Sequence, residues 1–246
     1  MNTYFKALKR ILEEKDAITF FSGAGLSVTS GLPDFRSDKD GFWKSNTPVH
    51  FQDFISNSES RKKSWDNNLA IHKKISGALP SNMHNLINEL IDKNSQTFHI
   101  TQNIDGLHTN NKFPNNVFEL HGSIFNCNCL TCKYEFSTLD FYKNHNDKED
   151  FLCPICSEGF VKVGTISFGQ ALKQDVVDLS HKVTADADYF IVLGSSLKVS
   201  PANNLVRVAK KHGAKIIILN KEPTPFDDYA DIVINDYLEN IYEQLK

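Results

Sequence analysis

Two closely spaced cysteine pairs give the strongest chemical signal in the sequence. Cys129 and Cys132 form one Cys-x-x-Cys pair, Cys153 and Cys156 form the other, and 20 residues separate the two pairs. Four thiolates from two such pairs hold a tetrahedral Zn²⁺ and leave no position for water, so the metal would be structural. Four ordinary buried cysteines and a redox-active pair are the alternatives, and both fit the paired spacing less well. Cys127 lies just outside the first pair and is interpreted as a spare thiol.

A glycine-rich stretch near the N-terminus could bind a phosphate. Residues 17–21 form an apolar run that predicts a buried strand, and Gly-Ala-Gly follows at 23–25, with a helix expected to begin near Ser27. Small residues let backbone N–H groups approach a phosphate, and the helix N-terminus adds partial positive charge. A tight strand-to-helix turn without a ligand would need the same glycines. The Asp-Phe-Arg at residues 34–36 favours the ligand site, because these side chains suit contacts with a bound molecule.

Polar side chains follow two further predicted strands. The strand at 97–101 runs into Asn103 and Asp105, and the strand at 117–120 ends at His121. Open parallel sheets bind ligands at the carboxyl ends of their strands. His121 is therefore a candidate general base, although it could simply end its strand. Asn103 and Asp105 could be ordinary turn residues, and their expected convergence with the glycine loop is what favours a site.

The elements around these residues predict an α/β fold. Helical spacing of apolar residues marks 4–14, 83–91, 171–183, 201–211 and 236–245, and apolar strands occupy 189–193, 215–219 and 231–234. Strands rich in Val, Ile and Leu that alternate with helices predict a parallel sheet with helices on both faces.

Two segments interrupt this alternation and predict a smaller domain. Residues 37–96 are polar and helix-prone, and are interpreted as a helical insert or lid. Residues 123–164 carry the cysteine pairs and are interpreted as a zinc ribbon, with a solvated loop at 143–150. The main domain would then consist of residues 1–36, 97–122 and 165–246. Four histidines in polar surroundings are expected to face solvent: His72, His145, His181 and His212.

Composition and charge narrow the function classes. The chain has 246 residues, enough for one large domain or for one domain with a smaller insert. The net charge of -3 gives no reason to expect nucleic acid or an anionic membrane as a partner. The first residues lack the apolar core of a signal peptide, and no apolar run approaches the roughly 18 residues of a membrane helix. We expect a cytoplasmic protein, and no feature of the sequence requires an oligomer.

The motifs, in this order, resemble those of the sirtuins, the Sir2-like NAD-dependent protein deacylases. The resemblance spans roughly residues 15–236. It rests on the glycine stretch 23–36, Thr-Gln-Asn-Ile-Asp-Gly-Leu-His at 101–108, Glu-Leu-His-Gly at 119–122, both cysteine pairs, Phe-Gly at 168–169, Gly-Ser-Ser-Leu at 194–197 and Asn-x-Glu at 220–222. It implies a Rossmann-like NAD-binding domain and a small domain held by one structural Zn²⁺.

The resemblance also implies roles for individual residues. The NAD pyrophosphate would contact Ala24, Gly25, Ser27 and Val28. The reactive ribose and the nicotinamide would contact Phe35, Arg36, Gln102, Asn103, Ile104 and Asp105. Phosphate and adenosine would contact Ser195 and Ser196, and the adenosine half would also contact Asn220, Lys221, Glu222, Asp236 and Tyr237. The catalytic residues would be Asn103 and His121, with His121 the general base that deprotonates a ribose hydroxyl.

The implied reaction transfers an acyl group from lysine to ADP-ribose. The acyl oxygen attacks the ribose as nicotinamide leaves, His121 activates a neighbouring hydroxyl, and water completes the release of lysine and O-acyl-ADP-ribose. Zinc stays out of the reaction. The substrate peptide would bind as an added strand beside residues 163–170, where Val163 replaces the family's usual Pro and Gln170 its usual Glu.

Acyl preference can be read from two positions on the predicted insert. Sirtuins that remove succinyl or malonyl groups share a Tyr-x-x-Arg motif, and Asn68 and Ile71 stand at those positions here. Without the Arg, a negatively charged acyl group lacks its partner. We therefore expect acetyl or a longer neutral acyl chain.

Two other functions remain open at this point. One is an NAD glycohydrolase or ADP-ribosyltransferase, as some Sir2-like proteins are, and the other is a non-catalytic NAD-binding module. A dehydrogenase is disfavoured, because residues 23–25 lack the full Gly-x-Gly-x-x-Gly pattern and no ribose-binding acid follows at the usual distance.

Overall fold

Helices and strands alternate along the main part of the chain, as the sequence predicted. The computed structural model describes residues 3–14, 16–32, 47–108, 115–145 and 149–246. In chain order the elements are α1 (Thr3–Glu13), β1 (Ile18–Ser22), α2 (Gly25–Val28), α3 (Phe51–Ser56), α4 (Ser58–Ile75), α5 (Asn82–Lys93), β2 (Phe98–Thr101), β3 (Val117–Glu119), β4 (Asn126–Cys129), β5 (Glu135–Ser137), α6 (Thr138–His145), β6 (Val161–Val163), α7 (Gln174–Ala185), β7 (Tyr189–Leu193), α8 (Asn204–Lys211), β8 (Lys215–Leu219), β9 (Ile232–Ile234) and α9 (Leu238–Leu245), with short 3-10 turns at Glu149–Phe151 and Asp227–Tyr229.

The main sheet has six strands in the order β3-β2-β1-β7-β8-β9. Every neighbouring pair in it is parallel. Strand order reverses between β1 and β7, and this is the topological switch point where doubly wound sheets bind ligands. The expected Rossmann-like fold is confirmed.

Side chains of the central strands alternate between two buried faces. Phe20, Ile191 and Ile217 face one side, where α1, α5 and α9 cover the sheet. Phe21 and Phe190 face the other side, against α7 and α8. A strand buried on both faces favours apolar residues on both, which is why these runs are nearly continuous rather than alternating. Helices therefore cover both faces, as predicted.

Helix α5 belongs to the main domain and not to the predicted insert. Its buried residues Met83, Ile87 and Ile91 lie in the same core as Phe20 of β1. The expected insert at 37–96 is therefore too long at its C-terminal end. The helical spacing of these residues showed that α5 buries one face, but spacing carries no information about the partner of that face.

The helical segment and the cysteine module share one smaller core. Their own sheet is antiparallel, in the order β5-β4-β6. Trp65 of α4 is fully buried, stacks on Phe151 with ring centroids 5.0 Å apart, and donates from Nε1 to the carbonyl oxygen of Val161 at 3.1 Å. One indole thus packs against both ends of the residue 149–163 segment, and the two parts form a single small domain.

Two side chains that the sequence placed in solvent contact residues far away along the chain, and a third, His145, is partly buried and stacks on neighbouring Phe141. Asp150, from the predicted solvated loop, accepts hydrogen bonds on both carboxylate oxygens from buried Arg61 of α4. His72 is buried and packs edge-on against Phe125, and burial lowers the pKa of His72. A polar sequence neighbourhood did not reveal either contact, because both partners lie far away along the chain.

No helix among the described residues is both long and apolar enough to cross a membrane.

Replacing Ile87 by Ala tests the placement of α5. The change leaves a cavity between α5 and the sheet, so we expect the free energy of unfolding to fall by about 2–5 kcal/mol. Leu79→Ala is the control, because Leu79 is 77% exposed and its loss should change stability by less than about 0.5 kcal/mol. Chemical denaturation followed by fluorescence measures both. Equal stability of the two variants would contradict the placement.

Candidate active site and metal site

The turns after β1 and β7 meet at the switch point through their backbones. The Gly25 N–H donates to the carbonyl oxygen of Gly194 at 2.9 Å, and the Gly23 N–H donates to that of Leu193 at 3.0 Å. A Cβ on Gly25 would lie 2.7 Å from Cα of Gly194, and one on Gly23 would lie 2.9 Å from the Gly194 oxygen. These glycines are therefore required first for close packing of two turns. Helix α2 begins at Gly25, two residues before the expected start.

A chain of hydrogen bonds joins this loop to the end of β2. Asn103 Nδ2 donates to the carbonyl oxygen of Gly23 and to Ser27 Oγ, both at 3.1 Å. Ser27 Oγ in turn donates to Asp105 Oδ2 at 2.7 Å. Burial opposes ionisation of Asp105, but contacts from His108 and Ser27 outweigh it and lower the pKa of Asp105. Three of the predicted site residues, Ser27, Asn103 and Asp105, thus form one connected group.

His121 lies beside this group in a defined tautomer. Its Nδ1 is 3.0 Å from the carbonyl oxygen of Gln102. A carbonyl can only accept, so Nδ1 carries the proton, and the lone pair of the neutral ring is on Nε2. The Gln102 side chain accepts from Ser195 Oγ at 2.8 Å, which ties this strand end to the turn after β7.

Five of the predicted adenosine contacts lie at the ends of β8 and β9. Asn220 Nδ2 donates to the carbonyl oxygen of Glu222 at 2.6 Å, and Lys221 Nζ lies 4.7 Å from the centre of the Tyr237 ring. The Tyr237 N–H donates to Asp236 Oδ1 at 2.7 Å. All of them lie at the same edge of the sheet as Asn103 and His121.

The remaining predicted residues have varied environments. Ala24 and Ser196 are partly buried in the loops at the switch point, and Val28 is exposed at the end of α2. Ile104 is partly buried and packs against the small-domain core. Phe35 and Arg36 lie outside the described residues.

No role was assigned from the sequence to two residues that lie beside this site, His108 and Glu119. His108 is buried and its Nε2 lies 2.9 Å from Glu119 Oε1. Both residues sit inside motifs already noted, but no role was assigned to either. The sequence signal that could have revealed them is the presence of two ionisable residues in motifs that are otherwise expected to be buried.

The four paired cysteines converge on one point of the small domain. Their sulfurs all lie within 4.8 Å of one another, with Cys129 3.7 Å from Cys156 and Cys132 3.8 Å from Cys153. A tetrahedron with Zn–S bonds of about 2.3 Å has sulfur–sulfur edges of about 3.8 Å. The donor set therefore fits Zn²⁺.

Backbone donors complete the metal site. The Thr131 and Cys132 N–H groups donate to Cys129 Sγ, each at 3.4 Å. N–H groups of Glu158 and Gly159 lower the pKa of the Cys156 thiol to about 6. Such contacts favour the thiolate form that binds metal. Cys127 is not part of the cluster found among the described residues, and its Sγ lies 3.9 Å from the carbonyl oxygen of Ser137.

Comparison with known proteins decides the family. A family model described as "Sir2 family" matches residues 23–201. The chain belongs to the Sir2 family. Among curated members, it is 37% identical to "NAD-dependent protein deacetylase 1" of Bradyrhizobium diazoefficiens, over 91% of this chain and 88% of the relative. It is 34% identical to "NAD-dependent protein deacylase 2" of Archaeoglobus fulgidus, over 98% and 95% of the two chains.

Solved Sir2 structures share the whole architecture. One, described as Sir2Tm bound to a propionylated peptide, superimposes with a TM-score of 0.84 at 28% identity, covering 98% of this chain and 96% of that one. Another, described as Sir2 with a p53 peptide and NAD+, gives a TM-score of 0.82 at 29% identity, covering 100% and 97%. In this Sir2 chain, Ser27, Asn103 and Asp105 form a hydrogen-bonded group at the switch point of a Rossmann-like sheet. Dinucleotides bind at this point of such sheets, so these residues fit NAD.

Zinc removal tests the metal site. We expect about one Zn per chain, and we expect Cys129→Ser to lose the metal together with the fold of the small domain, because binding and folding are coupled. Cys127→Ser is the matched control and should retain zinc. Elemental analysis and circular dichroism measure both effects. A metal-free protein that is folded and active would contradict the assignment.

Proposed function

We propose that this protein removes acyl groups from lysine side chains of proteins in an NAD-dependent reaction, releasing nicotinamide and O-acyl-ADP-ribose. The observation that carries the proposal is the position of His121, with Nδ1 held by the Gln102 carbonyl next to Asn103. When bound, NAD supplies the ribose that receives the acyl group and the nicotinamide that leaves. The curated relatives named as NAD-dependent deacetylases support the same reaction.

His121 and Asn103 would have different roles at the ribose, one as a proton acceptor and the other as a hydrogen-bond acceptor. The lone pair on His121 Nε2 can accept a proton from a ribose hydroxyl, and the Gln102 carbonyl stabilises the imidazolium that results. Asn103 donates from Nδ2 to Gly23 and Ser27, so its Oδ1 is the atom that can accept a hydrogen bond from the ribose. Asp105 offers a buried carboxylate to an amide N–H group.

The acylated lysine would reach this site on a peptide bound as an added strand. The Ile166 N–H donates to the carbonyl oxygen of His121, and the Phe168 oxygen accepts from the Phe51 N–H, both at 2.9 Å. The segment containing Ile166 and Phe168 thus runs directly past the proposed base. Solved Sir2 structures that contain acetylated or propionylated peptides support a peptide substrate, and strand addition is the mode that a segment of this kind offers.

The same region favours a neutral acyl group. Asn68 donates to the Ser64 carbonyl and accepts from Thr165 Oγ1, and Ile71 is packed in the small-domain core. Neither position supplies a cation. The Lys162 ammonium donates to the carbonyls of Val163 and Thr165, and burial lowers its pKa to about 7. Among the described residues around these positions, a carboxylate on the acyl chain therefore has no cation committed to it.

Loss of His121 tests the proposed reaction. With NAD and an acetyl-lysine peptide, we expect the wild type to release nicotinamide and deacetylated peptide in equal amounts. His121→Ala should lower the rate by about 10²–10⁴-fold, because it removes the general base. Exposed His181 provides the control His181→Ala, which should keep full activity. Mass spectrometry of both products measures the outcome.

The product ratio also separates the alternatives. Nicotinamide release without loss of the acetyl group would indicate an NAD glycohydrolase or ADP-ribosyltransferase. NAD binding without any turnover would indicate a binding module. Either result would overturn the proposal.

A panel of acyl-lysine peptides tests the acyl preference. We expect acetyl, propionyl and butyryl peptides to react, and succinyl and malonyl peptides to react at least about 100-fold more slowly, because an unpaired charge in a buried pocket costs several kcal/mol. Measurement of kcat/KM at one fixed peptide sequence gives the comparison. Faster removal of succinyl than of acetyl would refute the preference.

A further inference from the structure

Three buried histidines lie near the strand ends that carry Asn103 and Asp105. His84, His99 and His108 are each 1% exposed. His84 Nδ1 lies 2.7 Å from Ser81 Oγ, and His99 Nε2 lies 2.7 Å from Ser22 Oγ. These two rings have neutral partners, so a buried positive charge on either would be uncompensated. Burial lowers the pKa of His84 to about 4 and that of His99 well below its usual range.

His108 differs because a carboxylate faces each of its ring nitrogens. Nε2 lies 2.9 Å from Glu119 Oε1, and Nδ1 lies 3.6 Å from Asp105 Oδ1. The Nε2 contact is a hydrogen bond, whereas Nδ1 forms no hydrogen bond within the described part of the chain and meets Asp105 at an ion-pair distance. Two carboxylates on opposite sides of a buried imidazole favour its positively charged form. The geometry therefore favours a buried imidazolium between Glu119 and Asp105.

Among the described residues, the two other titratable rings next to His108 do not compensate the charges of the two acids. The His99 ring meets the His108 ring edge-on, with centroids 5.9 Å apart, and His84 faces it from α5. Burial lowers the pKa of His108, but the Asp105 and Glu119 carboxylates outweigh it and raise the pKa to about 9. Within the described part of the chain, His108 thus places a positive charge beside Asp105, a carboxylate that is itself nearly fully buried.

We propose that His108 is a positioning residue for the NAD site: held by Glu119, its imidazolium keeps Asp105 ionised and oriented. Asp105 passes this constraint on, since it accepts from Ser27 Oγ, which in turn accepts from Asn103 Nδ2. Glu119 lies two residues before His121 and is partly exposed. It is the outermost residue in this series of contacts. The inference rests on the proposed function, because it gives Asp105 and Asn103 their roles toward NAD.

The positive charge of His108 beside Asp105 predicts how NAD binding depends on pH. The pKa of His108 is raised above its unfolded value, so the contribution of the imidazolium is complete below about pH 6.5 and is lost as the pH rises through 9. Removing the Glu119 charge should lower this pKa by about 1–3 units. The alkaline limit of NAD binding should then move to lower pH.

Glu119→Gln tests the proposal, because it removes the charge and keeps an oxygen acceptor for His108. We expect the KM for NAD and the inhibition constant for nicotinamide to rise about tenfold, with a smaller change in kcat, and the alkaline limit to shift down by at least one pH unit. Glu119→Asp should restore part of the affinity. The control Glu89→Gln removes an exposed charge on α5 and should change none of these values.

Histidine NMR gives a readout that needs no turnover. In the wild-type protein, one imidazole should titrate near pH 9 and keep both ring protons at pH 7. That signal should vanish in His108→Gln and titrate at lower pH in Glu119→Gln. If no imidazole titrates above pH 8, or if Glu119→Gln leaves NAD affinity and its pH limit unchanged, the proposal is overturned.

Failure of the proposed function has a different signature. A wild-type protein that binds NAD without deacylating a peptide would refute the reaction, and the NAD affinity and NMR measurements would still decide the role of His108. Glu119→Gln provides these measurements even if His108→Gln fails to fold.

Discussion

The candidate site depends on the close approach of two backbone turns at the switch point of the sheet. Gly25 and Gly194 come near enough that a Cβ on either would overlap the other's backbone. This contact brings Ser27, in the helix α2 that follows β1, next to the end of β2, and brings Ser195, on the turn after β7, next to Gln102. Without it, the bonds that orient the amide and carboxylate groups would have no fixed partners. A residue with a side chain at either glycine would separate the turns. Close packing of the two turns therefore requires these glycines whether or not a phosphate is bound.

Much of the fold could be predicted from local pattern, and the errors occurred where a partner had to be chosen. Continuous apolar runs such as β7 and β8 specified buried strands, and their alternation with helices specified a parallel sheet. The stripe on α5 was equally clear, yet it was assigned to the wrong domain, because a stripe records that a face is buried and not what covers it. The ion pair of Arg61 with Asp150 escaped prediction for the same reason, since 89 residues separate its partners.

Prediction of the site had a similar limit. Motif spacing predicted that Asn103, Asp105 and His121 lie close together, because each follows a strand and parallel strands end at a common edge. It identified the zinc ligands because metal coordination constrains spacing directly. It assigned no role to the pair of His108 and Glu119, whose significance appears only when both ring nitrogens are seen to face carboxylates. Charge compensation between buried groups is a property of three-dimensional neighbours, and a single sequence does not display it.

The zinc module can influence the proposed reaction without contacting the substrate, because a short series of backbone contacts connects the metal site to His121. Cys129 ends β4, and β4 pairs with β6, the strand that leads to Gly164. Gly164 donates to the Asn126 carbonyl at 2.8 Å, and its own oxygen would lie only 2.0 Å from a Cβ on Gly122, the residue after His121. Two residues further on, the Ile166 N–H holds the His121 carbonyl. A structural metal that fixes β4 and β6 therefore also fixes the backbone on both sides of the proposed base, although the four cysteines leave it no open coordination position.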